Sequence, residues 1–208
     1  MHRRLGQWFR DTRRPHEPFF IFLNYIEPHD PYAPASHELE WCAAETYEEW
    51  NGGDKDQHAL LYRHMLTRLD VLSSHDLSEL ETLYDEEILY TDRKVGELLG
   101  WLESAGLMEN TLVVITSDHG EHFGEHHRTV HSHSLYEPLV RVPLIVRWGD
   151  RFPPGPDDAL RQSHDLYPTI LEAAGVNWQR TSAHNCRSLL DSMPDPNRRG
   201  VSELTSPS

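Results

Sequence analysis

Lysine is almost missing from this chain: Lys55 and Lys94 are the only two among 19 basic residues, set against 34 acidic ones. The resulting formal charge of -15 works against any partner held mainly by its phosphates, whether nucleic acid or an acidic membrane surface. Cysteine is just as scarce. Cys42 and Cys186 lie far apart and match no C-x-x-C spacing, so neither a zinc knuckle nor a disulfide framework is indicated. Long apolar runs are lacking as well. The longest near the start, Phe19 to Leu23, is far too short to span a bilayer. No apolar segment of leader length follows the basic opening residues, so location stays open with the cytoplasm as the default.

What is present suits one ordinary globular domain. The chain has 208 residues, 38% of them hydrophobic and 25% charged, enough for a sizeable core. Residues 3–12 predict a short helix with Leu5, Trp8 and Phe9 on one face. Phe19 to Ile26 is a nearly continuous apolar run and predicts a strand buried on both faces, as in a parallel sheet covered by helices. Residues 76–105 predict a long helix capped by Asp76 or Ser78 and stopped by Gly106. Thr111 to Ser117 and Arg141 to Arg147 predict two more strands, and Asp165 predicts the cap of a helix stopped by Gly175. Strand, long helix, strand is an α/β order. The Pro- and Ser-rich tail after 190 predicts partial disorder.

Three stretches carry groups that can do chemistry. Ser117-Asp-His-Gly-Glu121 follows a core strand. A carboxylate beside an imidazole can grip one cation, and the glycine allows a sharp turn there; the competing reading is an Asp that caps a helix. Glu27-Pro-His-Asp-Pro-Tyr32 follows the other core strand, where open α/β sheets place ligands. His29 there can bond an anion as a cation or donate a proton, unless the prolines merely stiffen a solvated loop. The third is a histidine cluster, His119, His122, His126, His127, His131 and His133, which contains no H-E-x-x-H pattern.

Taken in order, these segments resemble the sulfatase family of the alkaline-phosphatase superfamily. Phe19 to Tyr32 resembles its strand and Pro-His-x-Pro-Tyr loop, and Tyr90 to Gly96 the helix before its second metal motif. Leu112 to Glu125 is similar to its strand, Ser-Asp-His/Asn-Gly-Glu and Gly-Glu-His. His131 to Val146 resembles its His/Lys, Leu-Tyr-Glu and Arg-Val-Pro-Leu-Ile, and Asp165 to Gly175 its Asp-Leu-x-Pro-Thr helix.

The resemblance implies an α/β fold, with an alkaline-phosphatase-like central sheet flanked by helices and lacking its N-terminal strands. It implies 1–175 as the C-terminal part of the catalytic core and 176–208 as the start of a small subdomain. It implies hydrolysis of a sulfate ester, on a small molecule or carbohydrate, at one divalent cation: calcium first, with manganese or zinc as alternatives. Asp118 and His119 match the metal ligands. His29 and His131 match residues at the sulfate or leaving group, with His133 the other candidate for that second place. A phosphonate or phosphodiester hydrolase of the same superfamily, or a remnant without chemistry, is the alternative.

One part of the pattern is absent. The family's paired aspartates and its Cys/Ser-x-Pro-x-Arg, source of the formylglycine nucleophile, do not occur in these 208 residues. A fragment is therefore expected, with the missing N-terminal half as a partner. Alone it should bind calcium weakly, since calcium prefers about six to eight oxygens, and should not turn over aryl sulfates.

Overall fold

The computed structural model describes residues 2–14, 16–35, 39–53, 55–67, 71–131, 134–179, 186–191, 198–200 and 202. Most of the tail after 190, and His133 with it, lies outside the described residues. The chain divides into two compact units, the first formed by 1–61 and 71–102, the second by 62–70 and 103–208.

The first unit is helical. It holds α1 (His2–Asp11), α2 (Ala44–Asn51), the start of α3 (Gln57–Thr67) and nearly all of α4 (Ser74–Ser104). The long helix begins one turn earlier than its composition suggests, because the cap is Ser73. Its hydroxyl accepts from the Asp76 N–H at 3.1 Å while the Asp76 carboxylate accepts from the Ser73 N–H at 2.9 Å, a reciprocal capping box. Gly106, with φ of 66°, ends it in the left-handed region as expected. Leu80 and Leu83 are fully buried on its inner face, each contributing roughly 1.5–3 kcal/mol. Phe9 docks α1 edge-on against Trp101 at 5.0 Å and Phe19 at 5.1 Å.

Two carboxylates share that inner face. Glu87 accepts the backbone N–H of His29 at 3.1 Å and of Ala33 at 2.8 Å. Glu86 accepts those of Glu40 and Cys42 at 2.8 Å each, and of Trp41. Gln57 brackets Tyr32 through both its backbone N–H and its carbonyl. Buried backbone groups need partners, and here side chains of α3 and α4 supply them to a loop with little regular structure of its own.

The segment Phe19 to Ile26 corrects the expected buried strand. It has no strand assignment, and its exposure alternates: Phe20, Phe22 and Ile26 are 70%, 79% and 72% exposed and Asn24 is exposed too, while Phe19, Ile21, Leu23 and Tyr25 are half-buried. A strand exists through its ladder, and among the described residues this segment forms none.

The second unit contains the sheets. β1 (Val113–Thr116) pairs with β4 (Leu144–Arg147), with Val113 opposite Arg147 and Thr116 opposite Leu144. The pairing is antiparallel. Among the described residues no crossover helix lies between the two strands. The chain reverses through a short hairpin, β2 (His122–Phe123) with β3 (Thr129–Val130), and the one-turn helix α5 (Glu137–Val140). It therefore returns head to tail. Both strands are only half-buried.

Asp165 precedes α6 (Leu166–Ala173) as predicted, but its carboxylate does not cap that helix. Fully buried, it accepts from the Gln162 and Arg187 N–H groups at 2.9 Å and is held by both Arg198 nitrogens at 2.6 and 2.7 Å.

Candidate metal and anion site

Within the second unit, β1 delivers the chain to Asp118 and His119 at its C-terminal end. No helix follows, so the reading of Asp118 as a helix cap does not apply. Its carboxylate instead accepts the His119 N–H at 3.1 Å, and its side chain is 89% exposed. The His119 ring is oriented by its other nitrogen: Nδ1 lies 2.9 Å from the Gly120 carbonyl. A carbonyl only accepts, so Nδ1 carries the proton and Nε2 keeps its lone pair. That Nε2 stands 3.8 Å from Asp118 Oδ2. Two ligand atoms at about 2.0–2.4 Å from one ion can span this distance. The donor set fits a divalent cation; one imidazole with one carboxylate suits manganese or zinc better than calcium, which takes oxygen.

Gly120 is required for a reason other than the sharp turn anticipated. A Cβ there would lie 2.0 Å from the Pro138 carbonyl oxygen, and the Gly120 N–H donates to the Leu139 carbonyl at 2.9 Å. The glycine lets the backbone after Asp118 and His119 lie directly on α5.

His131 arrives on the same side of this unit. Its ring stacks on His119 with centroids 4.2 Å apart and planes 21° from parallel. Its Nδ1 lies 3.2 and 3.3 Å from the two oxygens of Glu121, whose side chain is 4% exposed. The carboxylate accepts, which fixes Nδ1 as the protonated nitrogen. Glu121 was present in the motif without a role; its anchoring of His131 depends on the hairpin and has no signal in spacing. Just before His131, buried Val130 takes φ of 55°. A β-branched residue is strained there by about 1–3 kcal/mol.

The histidine cluster thus separates. His119 and His131 stack together. His122 is buried, with His126 and Tyr136 beside it, and His127 is exposed.

His29 belongs to the first unit. Its Nδ1 is 2.6 Å from the Asp30 carbonyl, and its N–H is held by Glu87. Burial pushes the Glu87 carboxyl up to about 7, against the pull of its two backbone donors. Glu86 and Glu87 were missed in the sequence. Their signal was two acids at core-facing spacing from Leu80 and Leu83.

Residues 3–176 match the family model described as Sulfatase. The chain is 29% identical over 167 residues to an endo-4-O-sulfatase of Bacteroides thetaiotaomicron, covering 80% of this chain and 30% of that protein. It is 30% identical over 200 residues to the N-acetylglucosamine-6-sulfatase of Homo sapiens, covering 95% and 35%. It is 28% identical to the multifunctional alkaline phosphatase superfamily protein PehA of Trinickia caryophylli, covering 85% and 38%. The chain thus spans about a third of the length of these relatives. In fold it is similar to a phosphonate monoester hydrolase from Silicibacter pomeroyi, with a TM-score of 0.64 at 23% identity over 93% of this chain and 42% of that one. No described helix is long and apolar enough to cross a membrane.

Proposed function

Because the chain belongs to the sulfatase family, we propose that it forms part of a hydrolase that cleaves sulfate esters at a divalent-cation site. The observation that carries this reading is the arrangement after β1: an outward Asp118 carboxylate, a His119 Nε2 lone pair 3.8 Å from it, and His131 stacked alongside.

On this reading Asp118 and His119 hold the cation, which when bound neutralises negative charge on the transferring group. His131, locked by Glu121, donates from Nε2 to an anionic oxygen of the substrate when its ring is cationic, with His133 as the neighbour that could share the task. As an imidazolium, His29 donates a proton from Nε2 to the leaving alcohol, its Nδ1 proton being committed to the Asp30 carbonyl. The nucleophile comes from outside these residues. Residues 1–175 belong to the catalytic core, and 176–208 begin a smaller subdomain. A carbohydrate sulfate is the substrate class, since one of the relatives is named as an N-acetylglucosamine-6-sulfatase. The donor set leaves calcium, manganese and zinc as the ions to compare. The Asp–His pair is equally compatible with a phosphonate or phosphodiester hydrolase, and the likeness to a multifunctional superfamily member keeps that second reading in view.

Calorimetric titration of the 208-residue chain with Ca2+ and Mn2+ tests the site. Asp118→Asn should weaken binding at least tenfold; unchanged affinity would end the proposal. Inorganic sulfate, phosphate and phenylphosphonate, titrated onto the cation-loaded chain, separate the two hydrolase readings. Turnover of a chromogenic aryl sulfate by these residues alone would show that the nucleophile had been wrongly placed elsewhere.

A further inference from the structure

A second group of ligating side chains lies in the second unit and has no part in the reading above. His122 is 0% exposed, yet its Nδ1 has no hydrogen-bond partner. The other ring nitrogen, Nε2, is fixed 2.9 Å from Ser134 Oγ. Nδ1 faces Glu125 Oε2 at 3.7 Å, beyond hydrogen-bonding distance. That carboxylate oxygen is itself oriented by the Phe123 N–H at 2.7 Å. A buried ring nitrogen without a partner, aimed at an oriented carboxylate, is an arrangement that calls for something between them.

The spacing suits a metal. With zinc–nitrogen and zinc–oxygen bonds of about 2.0–2.2 Å, tetrahedral geometry sets the two ligand atoms about 3.4 Å apart. The observed 3.7 Å is a few tenths wider. His126 lies next to the pair, its ring edge-on to His122 with centroids 6.5 Å apart, and stacked on Tyr136 at 3.8 Å. Two imidazoles on one tetrahedral zinc have centroids roughly 5 Å apart, so His126 must close by about 1.5 Å. His126 is exposed and Glu125 half-exposed, which provides an entry path. Desolvation lowers the pKa of His122, favouring the neutral ring that a metal requires, and the Ser134 contact is the kind of outer partner that orients a ligating histidine.

We propose that His122, Glu125 and His126 form a binding site for a zinc-like transition-metal dication, separate from the Asp118–His119 pair, with water as the remaining ligand. It is independent of the hydrolase reading and rests on the orphaned nitrogen and its distance to Glu125.

The test uses the full 208-residue chain, stripped with a chelator and titrated with zinc chloride by calorimetry and native mass spectrometry. The variants are Glu125→Gln with His126→Ala, both at exposed positions, and Asp118→Asn with His119→Ala. The first pair should weaken one zinc equivalent at least tenfold; the second pair should leave that equivalent in place. Zinc should also shift the 15N resonance of His122 Nδ1. No zinc binding by the wild type, equal affinity in the Glu125/His126 variant, loss of all zinc in the Asp118/His119 variant, or an unmoved His122 resonance would each overturn the site.

Discussion

Glu87 gives the most quantitative test of how this chain is held together. Its side chain is buried beneath the loop carrying His29, 3% exposed, and burial raises its carboxyl from 4.5 to about 7. At ~1.4 kcal/mol per tenfold change in proton affinity, that difference corresponds to about 3 kcal/mol. The sign follows from proton binding. Between pH 4.5 and 7 the folded state retains a proton that the unfolded chain has lost. The stabilisation is therefore fully present below the unfolded value and disappears as pH rises through about 7. Asp76, held down to about 2, mainly by hydrogen bonds from Lys55 and Ser73 that outweigh its desolvation, acts on the acid side and leaves this window alone. Urea unfolding of wild type and Glu87→Gln at pH 4.5, 6 and 8 isolates the effect. The amide cannot titrate, and it can accept only one of the His29 and Ala33 N–H groups. The variant should be the less stable at pH 4.5, where one N–H has lost its acceptor, but the wild type should lose about 3 kcal/mol more than the variant between pH 4.5 and 8, so that the difference closes or reverses. Parallel pH dependences would refute the assignment.

Three further outcomes are expected. Gly120→Ala places a methyl 2.0 Å from the Pro138 oxygen and strains the Gly120–Leu139 hydrogen bond; a loss of about 3 kcal/mol in denaturant unfolding is expected, and a change under 1 kcal/mol would mean α5 yields freely. Arg198→Met strands the Asp165 carboxylate, 0% exposed, with one cationic partner removed; the cost should be about 3–5 kcal/mol, and a neutral result would show that the pair does not hold the chain around 198 to α6. Lys55→Met removes the ammonium that bonds Asp76 at 2.7 Å and sits 4.2 Å over the Trp50 ring. Since the Asp76 contribution is present above 3.8 and lost as pH falls toward about 2, acid unfolding should begin at higher pH in the variant, and an unmoved acid midpoint would count against the pair.

Local and periodic features were legible in the residues alone. The apolar face of α1, the length of α4, the stops at Gly106 and Gly175 and the strands near 113–116 and 144–147 follow from side-chain period and from the two glycines' φ of 66° and 70°. So did the family, because its motifs occur in order along 3–176. Tertiary structure alone decided how these pieces bond. Apolar content could not reveal that Phe19 to Ile26 forms no ladder among the described residues, since pairing depends on a second segment. Nor could the strand pattern give direction: β4 returns antiparallel after a short hairpin and the one-turn α5. The roles of Glu86, Glu87, Glu121 and Asp165 were hidden for one reason. An acidic residue reads as solvated until the fold sets backbone N–H groups, an imidazole or a guanidinium against it, and only then does burial become tolerable.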